Sequence, residues 1–135
     1  MYHAEISDFE TVKEIFYLHK KWFPHIRTDY MKRMIAKKNL ILENDVVITY
    51  NFYKRKQKIG DIQAFKDDCI LHQIAAKGKG TASDILQKFF KFVNRRVYLS
   101  VRSDNELAKN FYLRNNMKLI GKTSWAKGTL PGDVY

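Results

Sequence analysis

At 135 residues the chain is long enough for one hydrophobic core and too short for two well-packed domains of ordinary size, so residues 1–135 are read as a single domain. Hydrophobic residues make up 45% and aromatics 14%, which excludes a disordered chain, and the lone Cys69 excludes an intramolecular disulfide and a cysteine-based zinc site, so no metal is expected. Twenty-five Lys and Arg against 14 Asp and Glu give a formal charge of +11, which favours acidic or polyanionic partners, and MYHAEISDFE contains no signal-like or membrane-spanning apolar run, so a cytoplasmic protein without membrane attachment is expected.

Residues 2–6 alternate weakly and read as a first strand. Ser7 or Asp8 can cap a helix with Phe9, Val12, Ile15 and Phe16 on its apolar side, and Pro24 breaks it. A second helix starts near Thr28 or Asp29, with Tyr30, Met31, Met34 and Ile35 inside and a basic exterior. LILENDVVITYNFY is a hairpin signal turning at Asn44 and Asp45. The charged stretch 54–68 reads as a loop with, at most, a ragged strand extension. CILHQIAA at 69–76 is a strand, followed by KGKGT and by helical spacing at Ile85, Leu86, Phe89, Phe90 and Val93. VYLSV at 97–101 is another strand, Asp104 or Asn105 caps a helix carrying Leu107, Ala108, Phe111 and Tyr112, and MKLIGKTSW is a final strand before a tail with Pro131 and Gly132. The β-α-β steps demand a parallel strand pair, so the expected fold class is a mixed α/β (α+β) three-layer sandwich with helices flanking a central mixed sheet.

Lys77, Gly78, Lys79, Gly80, Thr81 and Ala82 lie where an apolar strand passes into an apolar-faced helix. Two glycines allow a tight turn and close approach of a ligand, and the free amides of the first helical turn favour an anion such as a phosphate. The spacing matches neither a P-loop nor GxGxxG, because the Lys-Ser/Thr ending is missing and Ser83 stands where the third glycine belongs. Taken alone, a GxG turn is equally well a plain strand-to-helix connection.

Gly78 and Gly80 fall on the coenzyme A loop pattern Gln/Arg-x-x-Gly-x-Gly/Ala of the GNAT superfamily of acyltransferases, which the chain resembles. Downstream, LSVRSDNELAKNFYLRNNMKLIG resembles the second block of that family, with Asn105, Ala108, Phe111 and Tyr112 on its Asn-x-x-Ala-x-x-hydrophobic-Tyr pattern. Ala75 stands where the family has Gln or Arg, with Lys77 and Lys79 as substitutes, and Asn116-Met117 replaces a Gly-Phe pair. The resemblance implies a GNAT-like fold and an acetyl-coenzyme A-dependent N-acetyltransferase. In the family, the pantetheine arm runs along the strand before the loop, here at the backbone of Ile74, Ala75 and Ala76, and the pyrophosphate sits on the amides from Lys77 to Ala82. By the same resemblance Asn105 hydrogen-bonds the cofactor. Lys109, one turn later, is placed to approach a cofactor phosphate or to stand as a solvated helix charge.

Acyl transfer from a thioester to an amine requires a neutral amine and a proton for the leaving thiolate. Tyr112 matches the general-acid tyrosine of the family; without that motif it would read as a core aromatic beside Phe111. Strand alternation puts His72 on the face opposite Leu71 and Gln73, which makes it a candidate general base or, with equal weight, a hydrogen-bonded core histidine. Asp67 and Asp68 at the strand entrance are weaker candidates for a proton relay. Cys69 has no base beside it in sequence and is not read as a nucleophile. The acceptor is an amine of unidentified type, in a cleft that Trp22, Tyr30, Trp125 and Tyr135 are candidates to line. An alternative function keeps the fold without the reaction: the basic clusters, including Lys54-Arg55-Lys56-Lys58 with nearby Tyr50, Phe52 and Tyr53, would bind nucleic acid or another polyanion. The short C-terminal segment leaves open completion of the last strand by a second copy of the chain, as a homodimer.

Overall fold

The computed structural model describes residues 1–78, 80–125, 128 and 130–135. In chain order its elements are a 3-10 turn Ile6–Asp8, α1 Phe9–Leu18, α2 Thr28–Ala36, β1 Leu40–Glu43, β2 Val46–Phe52, β3 Gln57–Ile59, β4 Ile62–Ala64 and β5 Cys69–Ala76. There follow α3 Ala82–Val93, β6 Val97–Tyr98, β7 Ser100–Arg102, α4 Glu106–Arg114, β8 Gly121–Trp125 and β9 Leu130–Val134. The mixture of parallel and antiparallel pairs together with helices is the mixed α/β class expected from sequence. The chain forms two compact units, Met1–Asn51 with Leu71–Phe92, and Phe52–Ile70 with Val93–Tyr135.

In the first unit the expected opening strand shrinks to a single antiparallel bridge, His3 to Ile41. The extension stops because Asp8 gathers the chain: its carboxylate accepts from the Glu5 amide at 2.9 Å and the Tyr2 hydroxyl at 2.6 Å, so Asp8 closes a turn instead of capping α1. α1 ends at Leu18, before Pro24 is reached. Both helices are amphipathic and bury Val12, Ile15, Phe16, Met31, Met34 and Ile35 against Leu40, Val47 and Ala75. β1 and β2 form the expected antiparallel hairpin, and Asn44 (φ 48°) and Asp45 (φ 60°) take the left-handed conformations that a two-residue turn of this twist demands. β5 lies next to β2 in the sheet, and α3 buries Ile85, Leu86 and Phe89, the last packed edge-on against Tyr50.

In the second unit the stretch read as a loop contains an antiparallel hairpin, β3–β4. It turns at Gly60, whose φ of +58° suits glycine and whose hydrogen side faces the Lys122 carbonyl so closely that a Cβ would collide with it. The first two residues of β5 pair in parallel with β6, Cys69 with Val97 and Ile70 with Tyr98. The single strand expected over 97–101 is therefore two: β6 follows β5, whereas β7 pairs antiparallel with β9. The expected final strand is shorter than its apolar pattern, beginning only at Gly121. The segment read as a tail is β9, which lies between β7 and β8 and so completes its own sheet without a second copy of the chain.

Candidate active site

In the first unit, the C-terminal half of β5 leads into the glycine loop. The loop starts from a fixed point: the Lys77 amide donates to the Asp45 carbonyl at 2.9 Å, and the His19 imidazole bonds the Ala76 carbonyl at 2.8 Å. The Lys77 ammonium pairs with Glu14 at 2.8 Å, which raises its pKa; both side chains are solvent-accessible, so the pair orients the loop more than it stabilises it. Gly80 has φ +88°, and a Cβ built on Gly78 or Gly80 would meet nothing within 4 Å among the described residues. Open space therefore borders both glycines. Immediately after them the Thr81 hydroxyl is buried without a hydrogen-bond partner among the described residues, at the mouth of α3 whose first amides have no intrahelical acceptor. A cleared loop, a helix N-terminus and an orphaned hydroxyl are the donor set that a phosphate group completes, so Lys77, Gly78, Gly80, Thr81 and Ala82 fit the pyrophosphate of coenzyme A. Lys79 lies outside the described residues.

Ile74, Ala75 and Ala76 close β5; Ala75 is buried in the core with Val47, and its two neighbours are partly exposed. On the same strand, Gln73 is the centre of a polar group that sequence reading missed. Its side-chain oxygen accepts from the Tyr30 hydroxyl at 3.0 Å and from the fully buried Thr49 hydroxyl, while its backbone N–H donates to the Thr49 hydroxyl oxygen at 3.1 Å. Burial holds the Tyr30 phenol above its ordinary pKa. Only Tyr30 carried a signal in sequence, as an aromatic candidate on the second helix.

His72 heads a second polar chain. Asn39 donates to Asn51 at 2.6 Å, and the Asn51 amide donates to His72 Nε2 at 2.9 Å, an arrangement that leaves the proton of the neutral imidazole on Nδ1. The residue is exposed by surface area, yet protein packed around the ring withholds water and depresses its pKa below the usual 6.5. His72 is thus neutral at physiological pH, as a base must be, with its Nε2 lone pair already engaged. Asp67 and Asp68 shape the turn into β5: the Asp68 carboxylate accepts from the Phe65 amide at 2.9 Å, and Asp67 adopts φ 72°.

In the second unit Tyr112 is buried on α4, edge-on to Phe111 at 5.5 Å and tilted against Tyr135 at 6.0 Å. Burial pushes its phenol pKa well above the ordinary value, so it keeps its proton throughout the physiological range. Asn105 caps α4, its side-chain oxygen accepting from the Ala108 amide at 3.2 Å. Lys109, read as either a phosphate ligand or a solvated charge, is held by protein partners. Its ammonium meets the Asp133 carboxylate at 3.1 Å, the Ser103 carbonyl at 3.0 Å and Glu106 at 3.5 Å, which engages all three protons. Asp133, 1% exposed, also receives Lys122 at 2.8 Å and the Ser103 hydroxyl at 2.7 Å, and these partners hold its pKa down at about 2. Nothing in the sequence marked Asp133, a lone carboxylate beyond Pro131 and Gly132. Cys69 is fully buried and its thiol is pushed up to about 12, an inert group.

A shallow depression of about 360 Å³ bordered by Ala4, Glu5, Ile6, Lys32 and Lys38 shares no residue with β5 or the loop and has no reactive constellation around it. Among the described residues no group of three or more His, Cys, Asp or Glu side chains converges, and no helix is long and apolar enough to cross a membrane.

No family model and no curated protein matches this sequence. Solved structures match its fold. A GNAT-family acetyltransferase from Bacillus cereus superposes with a TM-score of 0.74 at 18% identity, over 98% of this chain and 91% of that one. NAA60 from Arabidopsis thaliana, in complex with acetyl-CoA, gives 0.68 at 14% identity over 97% and 93%. An acetyltransferase of the GNAT family from Streptococcus pneumoniae gives 0.66 at 14% identity over 98% and 93%. At these identities the likeness is one of architecture, and the architecture is the GNAT fold.

Proposed function

We propose that this protein is an N-acetyltransferase that takes its acetyl group from acetyl-coenzyme A and transfers it to an amine. The observation that carries this reading is the β5–α3 junction, where open glycines, the α3 N-terminus and the partnerless Thr81 hydroxyl lie together on a fold shared with acetyltransferases. Structures with that fold include one in complex with acetyl-CoA and a NatC complex bound to Gag peptide and CoA. Bound here, the cofactor supplies the acyl group as an activated thioester.

The chain's own residues then have separable tasks. The amides of Lys77 to Ala82 and the Thr81 hydroxyl bind the pyrophosphate, and the backbone of Ile74 to Ala76 aligns the pantetheine arm. As the amine nitrogen joins the acyl carbon and the carbon–sulfur bond breaks, one proton must leave nitrogen and one must reach sulfur. The family motif alone gives Tyr112 the task of donor to sulfur; burial keeps its phenol protonated and makes the proton harder to release, so the donation requires a site dry enough to destabilise the leaving thiolate as well. His72, kept neutral, is the acceptor of the amine proton, and taking it at Nε2 requires the Asn51 amide to release that nitrogen so that the amine can reach its lone pair. Asn105 and Lys109 serve by fixing α4, as cap and as tether to Asp133.

The test is release of free thiol from acetyl-coenzyme A in the presence of a panel of amines. The expected result is amine-dependent release by the wild-type protein, reduced about 100-fold or more in Tyr112→Phe, the usual scale of a general-acid contribution. Folded protein that releases no thiol above the buffer rate with any amine would overturn the proposal.

A further inference from the structure

A large share of the chain's positive charge lies in one stretch. Between His19 and Lys38 there are seven Lys and Arg against the single carboxylate of Asp29, more than half of the formal surplus of +11. All seven are exposed, and among the described residues no carboxylate lies within ion-pairing distance of any of them. Three instead lie over aromatic rings: Lys21 over Trp22 at 4.8 Å, Lys32 over Phe9 at 4.9 Å and Arg33 over Tyr30 at 5.6 Å. A ring satisfies a cation without neutralising it, so the field of the segment is left uncancelled.

The same segment is bonded to the strand proposed to carry the acyl group. His19 holds the Ala76 carbonyl and Tyr30 holds Gln73, so Arg33 lies one aromatic ring away from the β5 polar group. Exposed cations away from the site would be ordinary solvated surface; Lys32 and Lys38 border the shallow depression apart from β5, whereas Arg33 is tied through Tyr30 to the strand proposed to carry the acyl group. A polycationic amine meets repulsion from this segment, whereas an amine carrying a phosphate or carboxylate is drawn in and oriented with its anion toward Arg33 and its nitrogen toward β5.

We propose that the acceptor is an amine that bears an anionic group, recognised by the unpaired cations between His19 and Lys38 with Arg33 as the positioning cation nearest β5. This rests on the acetyltransferase reading. It deepens that reading by naming the acceptor's charge class, and it assigns the basic segment to substrate selection.

The experiment measures acetyl transfer by thiol release on matched amines: phosphoethanolamine against ethanolamine, a peptide with acidic residues after its free N-terminus against the same peptide with lysines, and spermidine as a polycation. Calorimetric titration of each variant with coenzyme A runs alongside. We expect kcat/KM for the anionic member to exceed its neutral or cationic partner by about tenfold or more, with the ratio shrinking as added salt shortens the Debye length below about 8 Å. Arg33→Gln should move the ratio toward one while coenzyme A affinity is unchanged, and Arg33→Lys should restore much of it. The small-molecule and peptide arms identify which source of the anion is preferred. Transfer with no preference for the anionic member, or with spermidine favoured, overturns the inference and leaves the acetyltransferase reading standing. Protein that binds no coenzyme A and acetylates nothing overturns both. An oligonucleotide that binds more tightly than any amine, with no charge preference in transfer, assigns the cations to nucleic acid and also overturns the inference.

Discussion

Asp133→Asn removes the carboxylate at which β8, β9 and α4 of the second unit are fastened. The native side chain is 1% exposed and bonds Lys109, Lys122 and Ser103, and its pKa falls from 3.8 to about 2. At 1.36 kcal/mol per pKa unit that depression corresponds to about 2 kcal/mol. The Lys122 side chain is 65% exposed, so solvent screens part of the attraction and about 1 kcal/mol is expected to remain. Because the folded pKa lies below the unfolded one, the contribution is complete above 3.8 and is lost as pH falls through about 2. Urea denaturation followed by circular dichroism reads the difference between wild type and Asp133→Asn. It should be constant from neutral pH to about pH 5 and clearly smaller at about pH 3. In a background where Lys109 and Lys122 are both Met, Asp133→Asn should change stability by less than in the wild type, because its partners are gone. An Asp133→Asn protein as stable as wild type at neutral pH, or a difference that does not vary with pH, would refute the tether.

Three further outcomes are expected. The His72 imidazole should titrate below 6.5 by NMR; since the unfolded chain takes up the proton more readily, the stability His72 contributes is full above 6.5 and declines as pH falls through the folded midpoint. Asn51→Asp should raise that midpoint, and a wild-type midpoint at or above 6.5 would contradict the packing described. Cys69, buried with its thiol near 12, should resist thiol reagents in the folded protein and react once the chain is unfolded; labelling of native protein at the rate of a free cysteine would show that the β5 start is not closed. Gly60→Ala should destabilise by about 2 kcal/mol or more in denaturant titration, since it adds a left-handed alanine and a clash with the Lys122 carbonyl; a variant as stable as wild type would disprove the close approach.

The helices and the site-bearing loop were legible because each has a local cause. Val12, Ile15 and Phe16, then Met31, Met34 and Ile35, and later Ile85, Leu86 and Phe89 recur at helical spacing, and all are buried. Asn44-Asp45 and Gly80 announce the left-handed backbone conformations that they adopt. What escaped was decided by partners distant in sequence. VYLSV reads as one strand, and only the positions of β5 and β9 divide it in two. Pro131 and Gly132 argue against a strand interior, yet β9 is flanked on both sides by β7 and β8, with Gly132 small enough to lie under the Trp125 ring. The hairpin at Gly60 was hidden because its strands are three residues each and charged. The glycine pattern marked the loop, and the downstream Asn-x-x-Ala block singled out Tyr112, whose catalytic role belongs to the proposal. The bonds from Tyr30 to Gln73, His19 to Ala76 and Lys109 to Asp133 join residues without sequence periodicity between them and could be found only in three dimensions.

The most direct test of the central claim is calorimetric titration with acetyl-coenzyme A of wild-type protein and of Gly80→Trp. At Gly80 a side chain has open room, and the φ of +88° costs a non-glycine residue about 1–2 kcal/mol, so the variant should fold while its indole fills the space above the loop. Saturable one-site binding in about the micromolar range by wild type, abolished in a Gly80→Trp protein of unchanged circular dichroism, is the predicted result. Absence of binding to folded wild type, or undiminished binding to the variant, would contradict it.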